Sequence, residues 1–387
     1  MPSHGNQISP MLIRVLLVLI AAFGQHASAC ELPGYDEELA ENEAEIRTLT
    51  AQPAAAPHRL LRLAHALYAK ASLTTDYVDF RAADNAIIAA HEAGEPAAEC
   101  SYLRASFDFK LHRLTAASTT LEQLAHLAQV PEIAVLRADV LLQQGHVAAA
   151  SALYDQLSAG SSTWDVTARI AWLKSHQGEP QEADRLYASA QEELTAKEMR
   201  SWAWLELQRG LLDLETGRFA EALAHFQKAD RAYPGYWLIQ EHIAEVFDKL
   251  GRTDEASALY RRIIARTGNP EFVSSLAAIE QRANPEAAAA LYKKARFLFE
   301  QQRQQYPEAA IGHFLEHLID LPGDPDPELL SMAEENRRLR PSLDAMLLKT
   351  RVCLRLHDTA TARSLVTAAL AAGWRTAELD ALDKSLH

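Results

Sequence analysis

The sequence predicts an all-α fold in which pairs of antiparallel helices repeat and stack. Three observations predict it. A small residue followed four positions later by an aromatic or branched side chain recurs through most of the 387 residues. The stretch Gly210 to Pro234 carries turn and breaker residues at offsets that make a helix pair. Hydrophobic residues reach 48%, rich in alanine, with no alternating Val/Ile run of the kind a strand needs.

The helix pair is legible residue by residue. Gly210 and Ala222 lack bulk, so two helices can approach closely there. Gly217 can take positive φ and end the first helix without a Cβ penalty. Phe226 and Ala229 follow Ala222 at helical spacing, so all three share one face, an internal seam. Pro234 stops the segment by removing a backbone donor and biasing Tyr233 away from helix. The same anchor recurs at Ala83, Ala117, Ala150, Ala183, Ala222, Ala256, Ala288, Leu329 and Ala362, at spacings of 34, 33, 33, 39, 34, 32, 41 and 33 residues. The two longer spacings predict inserted turns rather than domain boundaries.

This period and these residues resemble tetratricopeptide repeats. Gly210, Gly217, Ala222, Phe226, Ala229 and Pro234 match best, followed by Gly251, Ala256, Tyr260 and Ile263, then Gly145, Ala150 and Tyr154, and Gly178, Ala183, Tyr187 and Ala190. The tryptophan that the family carries near the start of the first helix is mostly missing. The resemblance implies a right-handed α-solenoid of about nine helix-turn-helix repeats.

Taken in order, the chain opens on an address. Arg14 precedes the apolar run Val15 to Phe23, which is too short to span a bilayer and suits a secretory signal. Ala27-Ser28-Ala29 supplies the small-x-small cleavage pattern, so the mature chain is expected to start at Cys30, exported to the periplasm or outside. Met11 is an equally good start. Cys30 has two readings: ordinary cleavage in front of it, or lipidation as in bacterial lipoproteins, which implies an outer-membrane anchor. Ala27 stands where lipoprotein signals usually carry leucine. The expected organisation is a signal peptide over 1–29, an N-terminal cap over 30–56 including an acidic-ended helix from Asp36 to Thr50, the repeat array over 57–374, and a C-terminal capping helix over 375–387.

Cys30, Cys100 and Cys353 are the only cysteines. Because a solenoid keeps distant repeats apart, Cys30 and Cys100 are the expected disulfide partners in an unlipidated form, with Cys353 left as a buried thiol; three reduced thiols packed as apolar groups is the alternative.

The formal charge of −14 argues against a nucleic-acid face. Glycine-rich phosphate loops, nucleophile elbows, Cys-x-x-Cys pairs and His-Glu-x-x-His are all missing, so no cofactor is expected. His313, Glu316 and His317 spell the inverted zinc-peptidase signature, but they fall on a first helix at offsets that face neighbouring helices. Packing explains them better than catalysis. His112 and His225 are read as surface or turn residues, Trp202 and Trp237 as packing between repeats.

In the family this chain resembles, first helices line a concave wall. The matching offsets select Arg169 and Trp172, then Trp204, Leu207, Gln208 and Leu211, then Leu238, Glu241, His242 and Glu245. The expectation is a peptide groove in which Trp172, Trp204, Leu207 and Leu211 grip an apolar side chain while Glu241 and Glu245 orient a basic group. Filling of gaps between helices accounts for each tryptophan equally well. Three functions follow, in order: an exported scaffold binding a protein or peptide segment, a Cys30-anchored lipoprotein of an envelope or secretion assembly, and a zinc-dependent hydrolase using His313, Glu316 and His317.

Overall fold

The computed structural model describes residues 34–53, 56, 58–161, 163–195 and 197–386. The expected signal segment and Cys30 lie outside them, so neither the lipidation nor the Cys30–Cys100 pairing is described. Cys100 and Cys353 are both buried thiols. Among the described residues there are twenty α-helices, one short 3-10 turn at Ala125–Leu127, and no strand. None of these helices is long and apolar enough to cross a membrane.

The helices are α1 (Tyr35–Ala51), then nine pairs: α2 (Arg59–Thr74) and α3 (Tyr77–Glu92), α4 (Ala97–Lys110) and α5 (Leu114–Gln123), α6 (Pro131–Gln143) and α7 (Val147–Ser161), α8 (Trp164–His176) and α9 (Pro180–Glu192), α10 (Met199–Glu215) and α11 (Phe219–Ala232), α12 (Trp237–Lys249) and α13 (Thr253–Thr267), α14 (Pro270–Glu280) and α15 (Pro285–Gln305), α16 (Pro307–Asp320) and α17 (Leu329–Leu339), α18 (Leu343–Arg355) and α19 (Thr359–Ala371). Helix α20 (Ala377–Leu386) closes the array. Each helix packs mainly on its neighbours in the chain. The result is an all-α solenoid.

All nine anchor residues, Ala83 through Ala362, sit on second helices and are fully buried. Gly210 explains why the seam tolerates so little bulk: a Cβ there would fall 2.7 Å from Cδ1 of Phe226 and 3.1 Å from Cβ of His225. The room left by glycine is therefore filled by the Phe226 ring. The longer spacing before Ala222 is a loop between α9 and α10. The one before Leu329 comes from the 21-residue length of α15 together with the segment between α16 and α17.

Most turns within pairs share one backbone device. Gly145, Gly178, Gly217 and Gly251 take positive φ between the helices of their pairs. The same place is taken by Thr75, His112 and His357, at φ 53°, 56° and 60°, which no spacing argument anticipates. A side chain held in that region costs about 1 kcal/mol relative to glycine. His357 is exposed and its ring makes no described contact that glycine would forfeit, so His357→Gly is expected to stabilise the fold by about 0.5–1 kcal/mol, measured by urea denaturation. A destabilised variant would refute the strain argument.

One expectation fails. Repeats far apart in sequence do touch. The backbone N–H of Tyr35 donates to the Pro234 carbonyl at 3.0 Å, the Tyr35 ring stacks on Tyr236 with centroids 5.5 Å apart, and Trp237 Nε1 donates to the Leu73 carbonyl at 2.9 Å. Further along, Tyr77 packs on Tyr306 at 5.5 Å, Arg340 reaches the His112 ring at 2.9 Å, and the Arg375 N–H donates to the His176 carbonyl at 2.7 Å. These hydrogen-bonded partners lie 164 to 228 residues apart. At a repeat of roughly 34 residues, about six repeats complete a superhelical turn, and the next turn lies against it. The small rotation between neighbouring repeats accumulates until the coil closes on itself. Trp237 thus packs across turns as well as along the array, and His112 is a turn residue that also serves as a junction. Trp202 packs under Lys228, whose Nζ lies 4.9 Å from the ring centroid, and His225 bonds the buried Glu206 at 2.8 Å.

Candidate functional site

First helices supply most of the wall of the hollow, and two cavities open on it. The first, of about 590 Å³, lies between α6, α8 and α10, with Tyr236 and Asp344 brought in from elsewhere. Arg169 stands at its base. It grips Asp139 with two parallel bonds, Nε to Oδ1 at 2.7 Å and Nη2 to Oδ2 at 2.9 Å, and reaches the Asp165 carbonyl at 2.9 Å. Tyr154 donates its hydroxyl to Asp139 at 2.5 Å. Burial opposes the charge on Arg169, but Asp139 and Asp165 outweigh it and raise its pKa. Burial and the neighbouring Asp139 carboxylate push Tyr154 up as well, so it stays a donor. This paired set is structural: each charge is already answered.

Around it stand aromatic walls. Trp172 is covered on one side by His176, with ring centroids 3.8 Å apart, and meets Trp374 edge-on at 6.2 Å. Trp204 is 36% exposed.

The second cavity, of about 650 Å³, lies further along the wall between α12, α14 and α16. His242 sits between Glu241, 3.1 Å from Nε2, and Glu245, 3.5 Å from Nδ1. His313 sits between Glu316 at 3.2 Å and Glu271 at 3.5 Å. Burial, reinforced by Glu245 and Glu271, pushes Glu241 up to about 7. The Glu271 carboxylate, helped by Glu316 against the effect of burial, raises His313 to about 9. Near neutral pH this cavity therefore holds carboxylates answered in part by protonated His313 and by Lys249, Arg282 and Arg351 on the same wall.

The zinc-peptidase pattern does not assemble. His313, Glu316 and His317 all line the cavity, but the His317 side chain is buried in its wall, with Nδ1 2.8 Å from Ser274 Oγ and Nε2 without a partner. Its ring lies among Phe299, Phe314 and Tyr292, and burial lowers its pKa to about 4. Among the described residues no group of three or more His, Cys, Asp or Glu side chains is placed to hold a metal ion.

The groove residues chosen by offset divide. Arg169, Trp172 and Trp204 line the first cavity, and Glu241, His242 and Glu245 the second. Leu207 is buried in the core, Leu211 and Leu238 pack against that same core, and Gln208 is half-buried and lines neither cavity. The offsets mark a helical face wider than the accessible strip. Two important wall residues were passed over. Asp139 occupies in α6 the place Trp172 occupies in α8, so extending the offsets by one repeat would have reached it. Asp344 enters from the next superhelical turn, and nothing in its own repeat announces that.

A profile of the tetratricopeptide repeat family matches residues 213–279. That stretch carries tetratricopeptide repeats. The matched stretch covers the end of α10 through α14, the repeats whose glycine, alanine and aromatic spacing is most regular. Solved structures with similar repeats include PilF of Pseudomonas aeruginosa, at 18% identity over 62% of this chain and 90% of that one, TM-score 0.36. Yeast Tom70 is 15% identical over 91% of this chain and 92% of that one, TM-score 0.35. A human IFIT1 dimer bound to m7Gppp-AAAA is 14% identical over 92% and 86%, TM-score 0.40. Likeness at this level says nothing of what this chain binds. No curated protein matches it.

Proposed function

We propose that this protein is an exported, non-enzymatic tetratricopeptide-repeat scaffold that holds a segment of a partner protein against its inner wall. The observation that carries the reading is the pair of neighbouring cavities, one aromatic around Trp172 and Trp204 and one acidic around Glu241, Glu245 and Glu271. Together they offer an extended polypeptide an anchoring pocket and a place for a basic side chain. Export rests on the sequence of residues 14–29, and a lipid anchor at Cys30 is the second form of the same proposal. The mass of the mature N-terminus separates the two, since acyl chains add several hundred daltons.

The binding proposal is tested with partner segments selected from a peptide array by the purified full chain. Trp204→Ala combined with Glu241→Lys is expected to weaken their binding at least tenfold while circular dichroism stays unchanged. Unchanged affinity in that variant would remove this wall as the binding surface.

A further inference from the structure

We propose that the cavity lined by Trp172 and Trp204 receives an arginine side chain from the partner polypeptide, rather than the apolar side chain that the sequence alone suggests. This inference rests on the scaffold reading and narrows it.

It starts from what the cavity leaves unanswered. Its two cations are engaged: Arg169 by Asp139 and Asp165, and Arg200 by Glu38 at 2.6 Å. Its three carboxylates, Asp139, Asp165 and Asp344, outnumber them. Asp344 is exposed at the rim and makes no hydrogen bond or ion pair with another described residue. Gln143 Oε1 is buried and has no donor. Trp204 lines the cavity, is 36% exposed, and makes no ring–ring or cation contact with another described side chain.

Cavity shape and charge then select the ligand. An aliphatic side chain would fill volume but would leave the Asp344 carboxylate without a countercharge. An ammonium is a point charge that cannot lie flat on an indole. Guanidinium is planar, carries five donors, and stacks on an aromatic face while its edge donates to acceptors on either side. The excess of carboxylates in the cavity and the net charge of −14 draw such a group in. Arg169 shows that this wall already stabilises a charged guanidinium between acids.

The test uses the full chain and three probes: N-acetyl-arginine amide, its citrulline counterpart, which keeps the shape without the charge, and N-acetyl-lysine amide. The six tryptophans give separate indole N–H signals in NMR spectra, assigned by substitution. The arginine probe is expected to shift the signals of Trp164, Trp172 and Trp204, which line the cavity, and to leave those of Trp202 and Trp237 in place. Citrulline should bind about tenfold more weakly and lysine severalfold more weakly. Asp344→Asn should cost the arginine probe about threefold in affinity, and Trp204→Leu about fivefold, with the probe-free spectrum of each variant showing that it is folded. Equal binding of arginine and citrulline, shifts confined to other tryptophans, or no saturable shift at all would overturn the proposal. If array peptides lacking any basic residue bind in a Trp204-dependent way, the scaffold stands and the arginine assignment falls. If arginine binds here while no peptide depends on Trp204 and Glu241, the reverse holds.

Discussion

Replacing Trp237 with alanine is expected to lower stability by about 4 kcal/mol and to loosen helices α1 and α2 first. The ring is buried between Tyr236 and Phe272, with centroids 5.5 and 5.7 Å away. Removing a large buried aromatic costs roughly 3–5 kcal/mol. Its Nε1 also closes on the Leu73 carbonyl across the superhelical turn, a partner that Tyr35 reaches only at 3.4 Å. Trp237→Phe, which keeps most of the packing but drops the donor, should cost about 1–2 kcal/mol. Chemical denaturation measures the totals. Hydrogen exchange locates them: protection in residues 35–74 should fall before that of α6 to α9, because a repeat array couples mainly to neighbours and the seam is what fastens its ends. Equal loss of protection in every repeat would show that the seam does not act locally.

Acidification below pH 4.5 should remove about 3 kcal/mol through a single side chain, Glu206. It is fully buried in α10, yet its oxygens accept from Gln191 at 2.8 Å and lie 2.8 Å from His225 Nδ1 and 3.1 Å from Lys228 Nζ. Burial alone would push its pKa up. The hydrogen bonds from His225, Gln191 and Lys228 overcome that and hold it at about 2, against an ordinary 4.5. A carboxylate held down in the folded state contributes stability that is complete above the unfolded pKa and is lost as pH falls through the folded one. The window is therefore roughly pH 4.5 to 2, and the size follows from 1.36 kcal/mol per tenfold change in proton affinity, about 3 kcal/mol in all. Urea denaturation across pH on wild type and Glu206→Gln isolates the effect. The difference between them should be largest near neutral pH and shrink toward pH 2. A constant difference over that range would falsify the assignment.

The fold was legible because its cause is local. Ala222, Phe226 and Gly217 state a helix pair through spacing and backbone freedom alone, and every anchor counted by that spacing is buried at a second-helix seam. The site was legible only in part, because offset arguments fix direction and not depth. Trp204 and Leu207 lie three residues apart on one face, yet the first reaches the cavity and the second faces the core. Left-handed turns at Thr75, His112 and His357 carried no glycine to reveal them.

By itself the sequence determined the helix pairs, their count and the identity of the buried seam, since each depends on contacts within one repeat or with the next. Tertiary structure alone decided how tightly the array winds. That pitch sums a small rotation at every interface, so no short stretch encodes it. It is what sets Tyr35 against Pro234 and Tyr236, His176 against Arg375, and Asp344 beside an aromatic wall 140 to 180 residues earlier in the chain.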